Sequence, residues 1–561
     1  MECFFEMNDE KKSLALAVVL SFIAIYSVNA FFGLNKPSVK PQPVPTVADA
    51  EVTDTPQTIA SQEPIFQDTQ SAVKEDTRLN LQNDAVLGSI RLKGARFDNL
   101  YLKKYKKTLD SDDDVELFKP QGTLNHYFAE LGWLTLDKEV TLPSPSSMWQ
   151  TKDNELSPKH PVTLTWHSNG ITIIRKIALD NNYMFTVTDE IENNSGTELE
   201  VFPYALISKN IKGEAKSNSV VHEGMLGIID DTLKEFKYSD LKKGATKSLD
   251  SKGGWVGFTD RYWFSSLILD NNQNTNITFK NSDGDNYQVD FRGDRIIVPA
   301  HKTKTYTYKL FAGAKEIKLL DTYKKELNIP KFDLAVDFGW YYFLTKPFFY
   351  ILDFLYGYLG NMGWAILLFA AILRLLMFPI ANKSYTSMAK MKALQPKLND
   401  IKEKYGNNNM LIQQATMELY KREKVNPASG CLPLFIQIPV FFSLYKVLNF
   451  SIEIRHAPFV GWIKDLSAPD PLTLSQMLHI YVPSFIDIGV WPILMGITMY
   501  LQQKLNPQPM NKDQARMFAL MPVFFTFMLG HFASGLVIYW TLSNILSIIQ
   551  QKAIMVKNGV K

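Results

Sequence analysis

Met362-Gly-Trp-Ala-Ile-Leu-Leu-Phe-Ala-Ala-Ile-Leu-Arg-Leu-Leu-Met-Phe-Pro-Ile-Ala381 carries one charge in twenty residues, Arg374. Twenty residues at about 1.5 Å each reach about 30 Å, the thickness of a bilayer's hydrocarbon core. Arg374 lies twelve positions in, about 18 Å along such a helix and near its midplane. A guanidinium there is costly if it faces lipid, so it needs an acidic partner or water.

Working outward, four more apolar segments follow: Cys431 to Leu448, Ile488 to Leu501, Met517 to Phe532 and Gly535 to Ile549. Another, Ser13 to Phe32, follows Lys11-Lys12 near the start. A cleavable signal sequence ending near Val28-Asn29-Ala30 is the competing reading of that first segment. Six spans result, and their basic residues orient them. The connection from Asn382 to Gly430 holds nine Lys and Arg, whereas that from Asn449 to Ile480 holds two, Arg455 and Lys464. The first connection is therefore expected inside. Lys504, Lys512 and Arg516, and Lys552, Lys557 and Lys561, fall on the same side, which puts both termini in the cytoplasm.

Whole-chain averages hide this division. The 561 residues are 46% hydrophobic and 21% charged, with a net charge of +3, which argues against a globally basic nucleic-acid binder. Two cysteines, Cys3 and Cys431, cannot staple the polar middle of the chain. Residues 1–35 read as an anchor and 36–80 as a proline-bearing disordered linker. From 81 to 330, β-branched and aromatic residues alternate with polar ones between turn signals: Val162 to Trp166, Ser168-Asn169-Gly170, Ile171 to Ile177, Tyr183 to Ile191 and Asn193 to Gly196. Short strands at that spacing predict an antiparallel sandwich outside the membrane. His160 and His167, seven apart, would lie on opposite faces of a continuous strand, and no metal, cofactor or phosphate-loop motif occurs. The aromatic stretch 331–361, broken at Lys346-Pro347 and Asp353, predicts a helix at the membrane interface. Within 382–430, Met388, Met391, Leu394, Leu398 and Ile401, then Ile412, Ala415 and Leu419, recur at helical spacing and predict an amphipathic helical hairpin. Residues 552–561 form a short basic tail.

The late spans hold no Asp or Glu to pair with Arg374, and Asp487 stands at an outer boundary. Arg374 is therefore expected to face a hydrated cavity. Gln437, Ser443, Thr498, Gln502, Thr526, Ser543 and Asn544 could line it, although each taken singly suits helix packing as well. Ile488 to Leu501 and Met517 to Phe532 reach only about 21 and 24 Å, short enough to favour local thinning of a bilayer. A thinned membrane with a cationic, hydrated recess lowers the cost of moving a polar or acidic peptide across it.

Several stretches carry a resemblance. They are Tyr385-Thr-Ser-Met-Ala-Lys-Met-Lys-Ala-Leu-Gln-Pro-Lys-Leu398, Leu419-Tyr-Lys-Arg-Glu-Lys-Val-Asn-Pro427, Gly430-Cys-Leu-Pro-Leu-Phe-Ile-Gln-Ile-Pro439, Ala457-Pro-Phe459 with Trp462-Ile-Lys-Asp-Leu-Ser-Ala-Pro-Asp-Pro471, and Pro492-Ile-Leu-Met-Gly496. Densely over 332–551, the chain resembles the YidC/Oxa/Alb family of membrane protein insertases, and in layout its long proteobacterial form. The resemblance implies a multi-domain protein: a six-helix transmembrane α-bundle of insertase fold, with a five-helix core at 362–551, and a periplasmic all-β supersandwich similar to galactose mutarotases. It implies insertion and folding of membrane proteins at the bacterial inner membrane, without bond chemistry or cofactor. Its implied partners are nascent membrane proteins, the phospholipid bilayer, the Sec translocon and the ribosome, with no direct contact to nucleic acid. Arg374 becomes the groove arginine that attracts acidic substrate tails, joined by Gln437, Pro433 and the pair Tyr539-Trp540, and the third and fifth spans become an apolar slide. Ala370, Trp540 and Ala533 depart from residues frequent in relatives, and the short tail argues against ribosome docking through the tail alone. Two other readings compete. One is a six-span solute transporter or channel, although inverted repeats are not evident. The other is an enzyme, through a mutarotase-like domain or a His531/Ser534 pair, against which stands the absence of a nucleophile-elbow pattern.

Overall fold

The computed structural model describes residues 66–212, 221–406, 408–426, 432–484, 486–506 and 512–559. The expected first span, Ser13 to Phe32, lies outside these residues. Two units are present, one closing at Asp337 and the other opening at Phe338.

The first unit is built of two largely antiparallel sheets. The eight-stranded sheet runs Thr232–Lys237, Gly224–Ile229, Trp255–Thr259, Trp263–Ile268, Lys302–Ala314, Met184–Asn193, Ile171–Leu179, Val162–Ser168. The eleven-stranded sheet is centred on Leu199–Asn210, Tyr127–Leu134 and Arg96–Lys106. Period-two patterning produces these strands: Ile171, Ile173, Arg175, Ile177 and Leu179 are buried while Thr172, Ile174, Lys176 and Ala178 are not. The Ser168↔Ile171 pair closes a two-residue loop in which Asn169 (φ 47) and Gly170 (φ 78) are both left-handed, the geometry that suits a tight hairpin and favours Asn-Gly. His167 lies on the strand that enters this loop and His160 lies before that strand begins, so the two do not share a continuous strand.

Contacts between the sheets make the core. The rings of Phe97 and Phe185, one from each sheet, meet edge to face at 5.3 Å, and Tyr308 Oη donates to Gly132 O at 2.8 Å. Arg175 and Asp189 face each other on neighbouring strands, both wholly buried. Arg175 donates to Asp189 through Nε and Nη2, each at 2.7 Å, and Trp133 Nε1, from the other sheet, donates to the same carboxylate at 2.8 Å. The Trp149 ring lies 4.7 Å from the guanidinium.

In the second unit helices are numbered in chain order: α1 Tyr342–Leu359, α2 Met362–Leu376, α3 Phe378–Ala393, α4 Gln395–Tyr405, α5 Asn409–Arg422, α6 Leu432–Phe450, α7 Leu474–Leu478, α8 Val490–Leu505, α9 Lys512–Leu529 and α10 Ser534–Lys557. Gly360 (φ 67) ends α1, and Asn361 caps α2 by accepting from Trp364 N at 3.1 Å. α1 runs through Lys346-Pro347 as one helix. Pro347, the sixth residue of α1, has no N–H to give to Phe343 O, so the helix runs on with that one bond missing. The run from Met362 to Ala381 breaks instead. It bends by 67° between α2 and α3, because Pro379 supplies no N–H to continue the ladder and its ring crowds the preceding turn.

This bend corrects the expectation of one span over Met362 to Ala381. No single helix among the described residues is long and apolar enough to cross a membrane, whereas α2 and α3 are so only as a bent pair. α6 and α9 contain Pro439 and Pro522. Helix α10, by contrast, runs on to Lys557, past the apolar run that ends at Ile549.

α10 is the axis of the unit and packs on α2, α3, α6 and α8. The loop that follows α6 satisfies its first amides: Ser534 N donates to Ala468 O at 2.7 Å and Gly535 N to Leu466 O at 3.0 Å. That loop is in turn held by the buried Asp470, which accepts from Trp462 Nε1 (2.8 Å), Leu472 N (3.0 Å) and Trp491 N (2.8 Å). At the other end of α10, Ile554 packs with Ala381, Tyr385, Met388, Met391, Leu394 and Val425. Helices α4 and α5 pack on each other as the hairpin, with Leu398, Ile412 and Leu419 buried.

Two measurements test the β-unit. Asp189→Ala strands the buried guanidinium of Arg175 and should cost about 3–5 kcal/mol, read as a lower denaturation midpoint of the full chain by tryptophan fluorescence. A loss below about 1 kcal/mol would show that Arg175 reaches water instead. His126 is buried, and burial, followed by the nearby charge of Arg96, pushes its imidazole down from 6.5 to about 4. Between those values the unfolded chain binds more protons than the folded one. Stability should therefore fall as pH drops from 6.5 toward 4, by about 3 kcal/mol in all, and His126→Gln should flatten that slope.

Candidate functional site

Arg374 is in the last turn of α2, immediately before the bend, and is half-buried. Its Nη2 donates to Ser543 O at 2.7 Å and to Ser543 Oγ at 3.2 Å, and it also contacts Ser547 Oγ. Ser547 Oγ donates to the same Ser543 carbonyl at 2.7 Å. Among the described residues no carboxylate pairs with Arg374, and its Nε and Nη1 donate to no protein group. A carbonyl and two hydroxyls orient the guanidinium without neutralising it. The site keeps its positive charge.

Tyr539, one turn before Ser543, is buried and accepts from Gln437 Nε2 of α6 at 3.0 Å. Tyr539, Ser543 and Ser547 follow at intervals of four and so share one face of α10. The structure thus brings Arg374, Gln437 and Tyr539 to a common polar stripe. Trp540 lies on the adjoining face, its ring 4.7 Å from Phe441 of α6 and 6.2 Å from Phe525 of α9.

Other expected residues go elsewhere. Thr498 of α8 donates to Met495 O at 2.8 Å and accepts from Asn544 Nδ2 at 3.1 Å. Thr526 donates to Pro522 O at 2.7 Å, and a Cβ on Gly496 would stand 2.1 Å from its Oγ1, so glycine there lets α8 and α9 touch. These two threonines act as helix-packing groups. Ser443 is fully buried with no partner for its hydroxyl among the described residues, about 240° around α6 from Gln437, hence on another face. The Pro433 side chain lies outside the described residues. Ser547 was not anticipated, although its interval of four from Ser543 marks it. His531 Nε2 bonds Ser484 O at 3.0 Å and Ser534 Oγ donates to Asp465 O at 3.1 Å, so the two do not form a nucleophile–base pair.

The helices of this unit expose apolar side chains. Phe435 and Ile438 of α6, Leu494, Ile497 and Leu501 of α8, and Leu520, Val523, Phe524 and Phe527 of α9 are exposed. Aromatic residues of α1, namely Phe343, Tyr350, Phe354 and Tyr358, are exposed as well. The β-unit exposes few large hydrophobics, among them Leu87, Leu109 and Met148. Exposed apolar surface on this scale requires a non-aqueous environment or partners to cover it.

Known proteins bear on this geometry. The family described as YidC periplasmic domain matches residues 78–351, and that described as 60Kd inner membrane protein matches 354–560. The membrane protein insertase YidC of Rickettsia rickettsii (strain Sheila Smith) is 45% identical over 557 residues, 97% of this chain and 99% of that one. Its namesake from Methylobacterium radiotolerans is 47% identical over 510 residues, 88% and 82% of the two chains. A crystal structure of an active YidC insertase with its first transmembrane domain resolved covers 95% of this chain and 97% of its own at 17% identity, with a TM-score of 0.37. The assignment rests on the sequence matches. The chain belongs to the YidC family of membrane protein insertases, inner-membrane proteins in which a periplasmic β-sandwich domain precedes a helical insertase domain.

Proposed function

We propose that the protein inserts and folds integral membrane proteins through a groove along the Tyr539–Ser543–Ser547 face of α10, with Arg374 as its attracting charge. The observation that carries this reading is the guanidinium held by a carbonyl and two hydroxyls with no carboxylate among the described residues. An acidic substrate tail entering from the cytoplasm finds there the counter-charge that the protein has not supplied. At about 4 Å and an effective dielectric near 20, that attraction is on the order of 4 kcal/mol before desolvation is subtracted. The apolar part of the substrate meets the exposed side chains of α6 and α9 and passes from them into lipid. Burial of its apolar surface, at about 25 cal/mol per Å², drives the process, and Arg374 lowers the barrier for the tail. No covalent step is needed.

In this reading the helical unit spans the inner membrane with both termini in the cytoplasm, α1 lies at the interface and the β-unit stands in the periplasm. The protein works alone or beside the Sec translocon, on chains delivered by the ribosome. Gln437 holds Tyr539 in place, and Trp540 forms the wall beside it.

Reconstitution tests this reading. Liposomes containing the purified protein should insert a single-span substrate with an acidic tail faster than empty liposomes. Arg374→Ala should slow that tail by about tenfold or more, the equivalent of about 1.4 kcal/mol of barrier, while a neutral tail is little affected. Insertion no faster than in empty liposomes would overturn the function, and solute flux without insertion would favour a transporter. An equal loss for acidic and neutral tails would overturn the role of the charge.

A further inference from the structure

The polar stripe of α10 continues past the residues that hold Arg374. At about 100° per residue, Tyr539, Ser543, Ser547, Gln550 and Ile554 fall within an arc of about 80°. Four of the five have partners on other helices. Tyr539 takes the Gln437 amide, Ser543 and Ser547 take Arg374, and Ile554 joins the hairpin cluster. Gln550 has none among the described residues: it is 8% exposed, and neither its Oε1 nor its Nε2 has a hydrogen-bond partner there. Its neighbour Gln551 donates to Asn506 Oδ1 at 3.0 Å while its own Oε1 accepts nothing, and Gln503 Oε1 of α8 is likewise buried and unsatisfied.

A buried carboxamide with both ends unmet is destabilising in the resting protein. It is also the complement of a peptide group, since Nε2–H can donate to a backbone carbonyl while Oε1 accepts from a backbone N–H. Such recognition ignores side chains, which suits a site that passes many different sequences. Gln550 lies about 4.5 Å along α10 from Ser547, on the side away from Tyr539.

We propose that Gln550 is a backbone-binding residue, whose amide pairs with the extended polypeptide one step before its tail reaches Arg374. This inference rests on the insertase reading and makes a claim that charge attraction alone does not. Gln550→Leu keeps the side chain's bulk and removes the orphaned amide. The variant should unfold at a higher temperature than wild type. It should also insert both acidic-tailed and neutral-tailed substrates more slowly, by about tenfold, as expected for the loss of two hydrogen bonds of ordinary net strength. Gln550→Asn, which retains the amide, should recover part of the rate. If wild type inserts and Gln550→Leu inserts equally fast, the inference falls while the insertase reading stands. A variant that is less stable than wild type and still inserts normally would show that the amide holds a structural water, which also overturns the proposal. Failure of wild type itself to insert would strike the underlying function instead.

Discussion

An arginine placed in an apolar helix must be solvated by something, and the helical unit is arranged around what solvates Arg374. The groups supplied are a main-chain carbonyl and two serine hydroxyls, all from α10. They come from the axial helix on which α2, α3, α6 and α8 pack, so the position of the charge and the packing of the bundle are set together. The bend at Met377 follows directly after Arg374. The charged residue therefore sits at the end of a short helix, where the chain changes direction, and not in the middle of a continuous span.

The β-unit shows the opposite treatment of the same residue type. Arg175 is wholly buried and receives the Asp189 carboxylate in a forked pair, with Trp133 on the same carboxylate and the Trp149 ring against the guanidinium. Such a pair is close to neutral as a unit, and its role is to register two strands and tie two sheets. Arg374 is held through Nη2 alone and, among the described residues, meets no carboxylate, so its charge stays uncompensated. One arginine closes a core and the other leaves a site open.

The strands from Val162 to Asn193 were readable because alternation and the Asn169-Gly170 turn agree on one register, and both are local properties. The positive charge without an acid was readable too, since counting carboxylates in the apolar segments needs no fold. The break after Met377 was not, because hydropathy treats Pro379 as one more apolar residue and ignores its missing N–H. Ser547 and Gln550 were missed for a related reason. A hydroxyl or carboxamide near the end of an apolar run looks like helix surface until a neighbouring helix shows which face it occupies. Residue type alone groups Thr498 and Thr526 with the groove, and only packing separates them, as contacts between α8, α9 and α10.

With Arg374 as the attracting charge, a substrate tail follows the Arg374 face of α10. Photocrosslinking from two positions on that helix tests it most directly. Ser543 contacts Arg374, whereas Ile549, exposed to the surroundings, lies about 240° around the helix from it. With a photoreactive residue at either position and an acidic-tailed substrate arrested during insertion, adducts should form between the tail and position 543, with few or none from 549. Adducts from 549 with none from 543 would contradict it.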